Sequence, residues 1–200
     1  MRFTTAIVGT VIGYTWFIVP IFGVKRWLGM VPIVLVLALS FWRALQRGEW
    51  GLNRSHFLPA LGWALVFTVP VLVLTYGVGM FLGTIQGRDH PLRDFIFLFL
   101  WACGQQFALQ TVILREVQTL FSDGRAIVAA ASIFSFLHLP NPFLTPTTFL
   151  GALVWCWIYS RHPNLIPLSL AHAAASLMIL TSLDRSLTGG MRVGYSYFLL

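Results

Sequence analysis

From Leu58 to Leu82 the chain runs for twenty-five residues without one charged side chain. A bilayer's hydrocarbon is crossed by about 20 apolar residues in a helix. Only a backbone that pairs within itself can lie in lipid, so a run of this length predicts a spanning α-helix. Six further apolar runs accompany it, at Ala6 to Val24, Trp27 to Leu45, Asp94 to Leu120, Ala126 to Leu139, Thr147 to Ser160 and Asn164 to Leu183. Helix breakers and polar clusters separate them: Arg47-Gly48-Glu49-Trp50-Gly51, Gln86 to Pro91, Ser122-Asp123-Gly124, Pro140-Asn141-Pro142 and His162-Pro163. The pattern predicts an all-α fold, a polytopic transmembrane bundle of about seven spans.

Composition excludes other classes. Hydrophobic residues make up 58% of the chain and charged residues 10%, the balance of a polytopic membrane protein. The net charge of +7 does not point to nucleic acid. Its cations stand singly or in small groups at the ends of apolar runs, as Lys25 and Arg26, Arg43 and Arg47, Arg88 and Arg93, and Arg125, where lipid headgroups lie. Met1 to Val24 has a basic start but contains Pro20 and lacks a small-x-small cleavage site before Lys25, so it is expected to be a retained first span. Cys103 and Cys156 form no CxxC pair and suggest neither a disulfide framework nor a zinc site.

One membrane domain is expected, with N-terminal spanning helices over 1–93, a core over 94–183 and a tail over 184–200. The two sides carry nearly equal cations. Arg2, Arg43, Arg47, Arg54, Arg115, Arg125 and Arg161 fall on one, and Lys25, Arg26, Arg88, Arg93, Arg185 and Arg192 on the other. That excess of one directs the N-terminus to the cytoplasmic side of a cytoplasmic (inner) membrane.

Polar side chains inside an apolar span mark a working site by default. Gln105, Gln106 and Gln110 lie in the fourth run, His138 ends the fifth, and His172 lies within the last. Gln106 and Gln110, four apart, share a helical face, whereas Gln105 points about 100° away. The fifth and sixth runs hold only about fourteen helical residues each, too few to cross alone. Three prolines between Leu139 and Pro146 leave backbone unpaired next to His138. Such backbone is tolerated at membrane depth only where protein buries it or where it borders a wet cavity. At a rise of about 1.5 Å per residue from the Phe121–Arg125 turn, Gln106 lies about 21 Å deep, His138 about 18 Å and His172 about 12 Å. These depths predict a shared polar cavity.

Phe134-Ser135-Phe136-Leu137-His138 matches an F-x-x-x-H motif, and Leu170-Ala171-His172-Ala173 matches a histidine in a small-residue apolar helix. In that order and spacing, 94–183 resembles the core of the CPBP family of intramembrane proteases, which includes the CAAX prenyl endopeptidases and the Abi-type bacteriocin self-immunity proteins. The family's first motif is E-E-x-x-x-R. Its place is held by Gln105-Gln106-Phe107-Ala108-Leu109-Gln110, and Ser176 stands where the family often has Asn or Asp. Gly48-Glu49-Trp50-Gly51-Leu52 also resembles the segment preceding the family core. The resemblance implies cleavage of membrane-associated peptides or C-terminal tails, with a glutamate activating water while the histidines position it and stabilise the oxyanion. His138, His172, Gln105, Gln106 and Gln110 are then the site residues.

Glutamine keeps glutamate's shape but cannot take a proton from water. Losing both carboxylates while keeping the arginine would leave a buried unpaired cation, so the three replacements are consistent as one neutralisation. Glu116, about 16 Å along the helix from Gln105, is expected near the membrane face, paired with Arg115 or Arg125. A neutral histidine could serve as base instead. No cofactor is expected. For a divalent metal, His138 and His172 are the available ligands, fewer than the three of a catalytic zinc. Three functions stay open: an intramembrane endopeptidase, a pseudoprotease that binds a membrane-embedded or lipidated peptide, and an enzyme acting on an isoprenoid or other lipid-soluble substrate. Membrane lipid is an expected partner on every reading, and nucleic acid on none. His56, His90 and His162 are expected to be solvated loop residues.

Overall fold

The computed structural model describes residues 1–23 and 26–199, with Arg26 and Trp27 described by their backbone alone. Its helices are α1 Arg2–Phe22, α2 Arg26–Arg47, α3 Phe57–Leu82, α4 Pro91–Val117, α5 Asp123–Phe136, α6 Leu144–Arg161, α7 Leu165–Ser182 and the short α8 Arg185–Thr188. The only β pairing among the described residues is the isolated bridge between Leu52 and Asn164. The all-α membrane fold is as expected. Seven main helices stand where seven spans were expected, but five of them, α1 to α4 and α7, are long and apolar enough to cross a membrane. Val24, the expected end of the first span, and Lys25 of the charge tally lie outside the described residues.

The two exceptions differ from each other. The fourteen residues of α5 rise about 21 Å, short of a hydrocarbon core of about 30 Å. Helix α6 is longer than expected, eighteen residues, because Pro146 lies in its first turn, where the missing N–H would have had no helical acceptor.

Side-chain size sorts the bundle. Ala60 and Ala64 of α3, Ala126, Ala130 and Ala131 of α5, Ala152 of α6 and Ala171 of α7 are buried together with Leu109, Ile113, Leu114 and Tyr159. Small residues let helix backbones approach closely where lipid offers no hydrophobic drive for association. Large apolar residues point outward, and Phe81 is 89% exposed, a placement that suits lipid rather than water. Helix α7 lies along both α3 and α4, while α5 pairs with α6.

Two helices widen into π turns, Gly13–Ile18 in α1 and Ala108–Leu114 in α4. The first precedes Pro20, which has no N–H to continue the α ladder. The second touches α1, α2, α5 and α6, so the wide turn carrying Gln110 is the meeting point of the bundle.

The Arg-rich face is tied by polar contacts. Arg115 Nε donates to Glu49 Oε1 at 2.6 Å, the Tyr159 hydroxyl reaches the same oxygen at 3.3 Å, and Leu165 N donates to Gly51 O at 2.7 Å. Gly51 has φ +66°, and a Cβ there would collide with Leu165 and the Tyr159 hydroxyl. The segment Gly48 to Leu52 is therefore a clasp across α4, α6 and the start of α7. Glu116 does not pair with Arg115 or Arg125 as expected. Its carboxylate accepts from Thr4 N at 2.9 Å and Phe3 N at 3.3 Å and lies 3.8 Å from buried Arg43 Nε. The first N–H groups of α1 have no helical acceptor and donate to the carboxylate instead, while Arg115 is taken by Glu49.

The tail also packs. After α7 it doubles back through Gly189–Met191 and Gly194–Leu199 onto the loop that follows His138. Asn141 anchors it with its whole hydrogen-bonding capacity. Its Oδ1 accepts from Phe143 N and Leu144 N at 3.0 and 2.9 Å, and its Nδ2 donates to Thr188 O and Arg192 O at 2.9 and 3.0 Å.

Candidate functional site

Helix α4 delivers the glutamines. Gln106 and Gln110 have no exposed surface, and Gln110 Nε2 donates to Gln106 Oε1 at 3.0 Å. In a regular α-helix, residues four apart lie about 40° past a full turn. The π turn beginning at Ala108 winds more loosely and reduces that offset. Gln105 is half-buried and lies outside this hydrogen-bonded pair.

His138 lies in the turn just beyond α5. Its Nδ1 is 2.8 Å from the Phe134 carbonyl oxygen, and the Phe134 ring packs against it at 4.8 Å between centroids. A carbonyl can only accept, so Nδ1 carries the hydrogen and the neutral ring keeps its lone pair on Nε2. The carbonyl four residues back would set this tautomer for any residue at 134, and what the phenylalanine of F-x-x-x-H adds is the ring packed against the imidazole.

His172 stacks on Trp155 of α6 at 4.5 Å between centroids with the planes 26° apart. The next residue, buried Cys156, lies against the Gln110 amide. Helix α6 therefore links the glutamine pair to His172, whereas the contacts of His138 are with Phe134 of α5. Three of the five expected residues, Gln106, Gln110 and His172, are thus connected through α6, and His138 stands outside that link.

Several buried polar atoms there have no partner among the described residues: Gln106 Nε2, Gln110 Oε1 and His172 Nδ1, with Ser169 Oγ one turn before His172. A buried donor or acceptor left unpaired costs about 1–3 kcal/mol. Such groups in concentration are a signature of a ligand-binding or wet interior. The concave space beside His138 is different in character. It is a groove of about 290 Å³ lined by Ile12, Thr15, Trp16, Phe17, Phe136, Leu137 and Leu139, and its walls are almost wholly apolar.

Residues 87–178 match the family described as type II CAAX prenyl endopeptidase Rce1-like. They form a CPBP-family domain. The glutamines and both histidines fall inside the matched region, whereas the Gly48–Leu52 clasp lies outside it. No curated protein and no solved structure matches the chain.

Within this CPBP domain the donor set does not fit a catalytic metal. Among the described residues no three His, Cys, Asp or Glu side chains converge, and two imidazoles with two amides fall short of three protein ligands with a suitable charge. The six carboxylates are also placed elsewhere. Glu49 binds Arg115, Asp94 binds Arg88 and Arg93, and Glu116 binds Arg43 and the start of α1. Asp123 accepts from Gln118, Asp184 accepts from Ser186 N, and Asp89 lies in the exposed loop before α4.

Sequence reasoning missed three contributors. Asn141 could have been found, because an Asx turn between two prolines is a recognisable loop anchor. Ser169 shares a helical face with His172 at i−3 and could have been included on spacing. No signal in the sequence announces that Trp155 is the residue stacked on His172. The loop histidines are also less solvated than expected, since His56 and His162 pack at 5.7 Å between centroids and His162 Nδ1 is buried.

Proposed function

We propose that this CPBP-family protein is a pseudoprotease, which holds a membrane-embedded or lipidated peptide in a neutral intramembrane site without cleaving it. The observation that carries the reading is the fully buried Gln110–Gln106 hydrogen bond at the first-motif position, with every Asp and Glu side chain engaged or exposed elsewhere. An amide pair can orient a peptide by donating and accepting hydrogen bonds, but it cannot deprotonate water. The unpartnered Gln106 Nε2 and Gln110 Oε1 offer one donor and one acceptor, the complement of a peptide bond. The bilayer is its other partner, and the Arg-rich face holding Arg43, Arg115 and Arg161 is assigned to the cytoplasmic side on the positive-inside rule.

A photo-crosslinking amino acid in place of Phe136, in protein reconstituted with synthetic membrane peptides, tests this reading. Adducts of intact peptide mass support it. Adducts carrying only a fragment contradict it.

One observation favours a second reading, a divergent endopeptidase. With Nδ1–H held by Phe134 O, His138 presents the basic Nε2, and a neutral imidazole can act as a general base near neutral pH. On that reading a cleavage product forms and is lost in His138→Ala.

A further inference from the structure

We infer that the C-terminal segment 184–199 is a re-entrant plug, which completes the membrane cross-section over the short helix α5 and closes the His138 turn to the face opposite Arg115 and Arg161. The inference does not rest on the proposed function. Measured by helix rise from the Arg-rich face, α5 brings the chain only about 21 Å into the membrane, leaving about 9 Å of hydrocarbon beyond its end. Helix α7, by contrast, crosses and delivers Asp184 to the far face. From there the chain returns. Gly194 N donates to Leu139 O at 2.7 Å, and Asn141 Nδ2 binds Thr188 O and Arg192 O.

Irregular backbone at this depth must have its polar groups paired. Leu187 N and Thr188 N donate to Asp184 O, and Arg192 N donates to Gly189 O. The tight return relies on left-handed backbone at Gly189, Gly190 and Met191, with φ of +60°, +59° and +54°. Gly194 has φ +59°, and a Cβ there would lie 2.5 Å from Thr15 Cβ. The tail is thus seated against the π turn of α1 as well as the His138 loop, and Phe198 meets Trp16 edge-on at 6.4 Å. What stays open beside the plug is the apolar groove between α1 and Leu137. Phe136, Leu137 and Leu139, which flank His138 in sequence, form one wall of that groove.

The test uses the whole chain reconstituted in lipid with Cys103→Ala, Cys156→Ala and His138→Cys, and a membrane-impermeant maleimide applied from the far face. Labelling should be slow with the native tail. It should rise at least about tenfold, the mark of a local opening, in Gly194→Ala and in a chain ending at Leu183. Equal rates in all three would overturn the inference. A second arm keeps the full tail and its Gly194 and Asn141 contacts: Trp16→Cys with Phe198→Cys in the same thiol-free background should be joined by a short bis-maleimide. Failure to cross-link would also overturn it.

Discussion

Gln110 Nε2 donates to Gln106 Oε1 across 3.0 Å, within one turn of α4 where neither side chain has any exposed surface. Each amide satisfies half of its partner's need and leaves the other half facing the bundle interior. The pair is neutral. It lies within a CPBP-family domain at the place where the resemblance calls for a glutamate and an arginine.

Replacing one member should expose the value of that bond. Gln106→Leu strands the Gln110 amide without its acceptor and should cost about 1–3 kcal/mol, read from unfolding in mixed micelles of increasing denaturing detergent. The double variant Gln106→Leu with Gln110→Leu should lose less than the two single losses added. Strict additivity would mean that the two side chains do not interact.

Charge should be tolerated only in pairs. Gln106→Glu buries a carboxylate with no cation nearby and should destabilise the protein, whereas adding Gln110→Arg should recover about 3–5 kcal/mol, the scale of a broken buried pair. The check is a double-mutant cycle in the same unfolding assay. A Gln110→Arg substitution that destabilises equally with and without Gln106→Glu would contradict this account of the neutralisation.

The anchoring role of Glu116 separates it from the site. Glu116→Ala leaves Arg43 buried without its partner and removes the acceptor of Thr4 N and Phe3 N, so a loss of about 3 kcal/mol is expected. Arg125→Ala should change stability by less than about 0.5 kcal/mol, as surface substitutions do. Similar losses in the two would restore the local pairing that the sequence alone suggested.

The tail should respond to acid only below the usual carboxylate range. The Ser186 backbone N–H holds the Asp184 carboxyl below its ordinary value. A carboxylate so held stabilises the fold above its unfolded pKa, and this contribution disappears as pH falls through the lower folded value. Proteolysis of the tail should therefore be flat from neutrality down to about pH 4 and rise below it. A rise between pH 5 and 7 would mean that another group controls the segment.

What was legible in the sequence followed periodicity and charge. Apolar runs fixed the helices, and F-x-x-x-H together with the Ala-flanked His172 located the histidines, because those patterns are local. Helix rise placed Gln106, His138 and His172 at compatible depths, and α6 is the element that links the first of these to the last. The unexpected features were those decided by contacts between distant segments. Glu116 had a nearby arginine in sequence, yet the unpaired N–H groups of α1 captured it. Asn141 sits among prolines that mark a break, but nothing local says that the tail will supply its acceptors. The shortfall of α5 was visible as a count of residues, whereas the segment that fills it lies about fifty positions later in the chain. The expected shared cavity is resolved into two surroundings, a polar interior at the glutamines and His172 and an apolar groove beside His138.

The most direct measurement compares cleavage of a membrane peptide by the reconstituted native chain and by the triple variant Gln105→Glu, Gln106→Glu, Gln110→Arg, with products read by mass spectrometry. The account predicts no product from the native chain, because its site holds no carboxylate to activate water, and product from the triple variant if the histidines and the groove remain competent. A product from the native chain that vanishes in His138→Ala would contradict it.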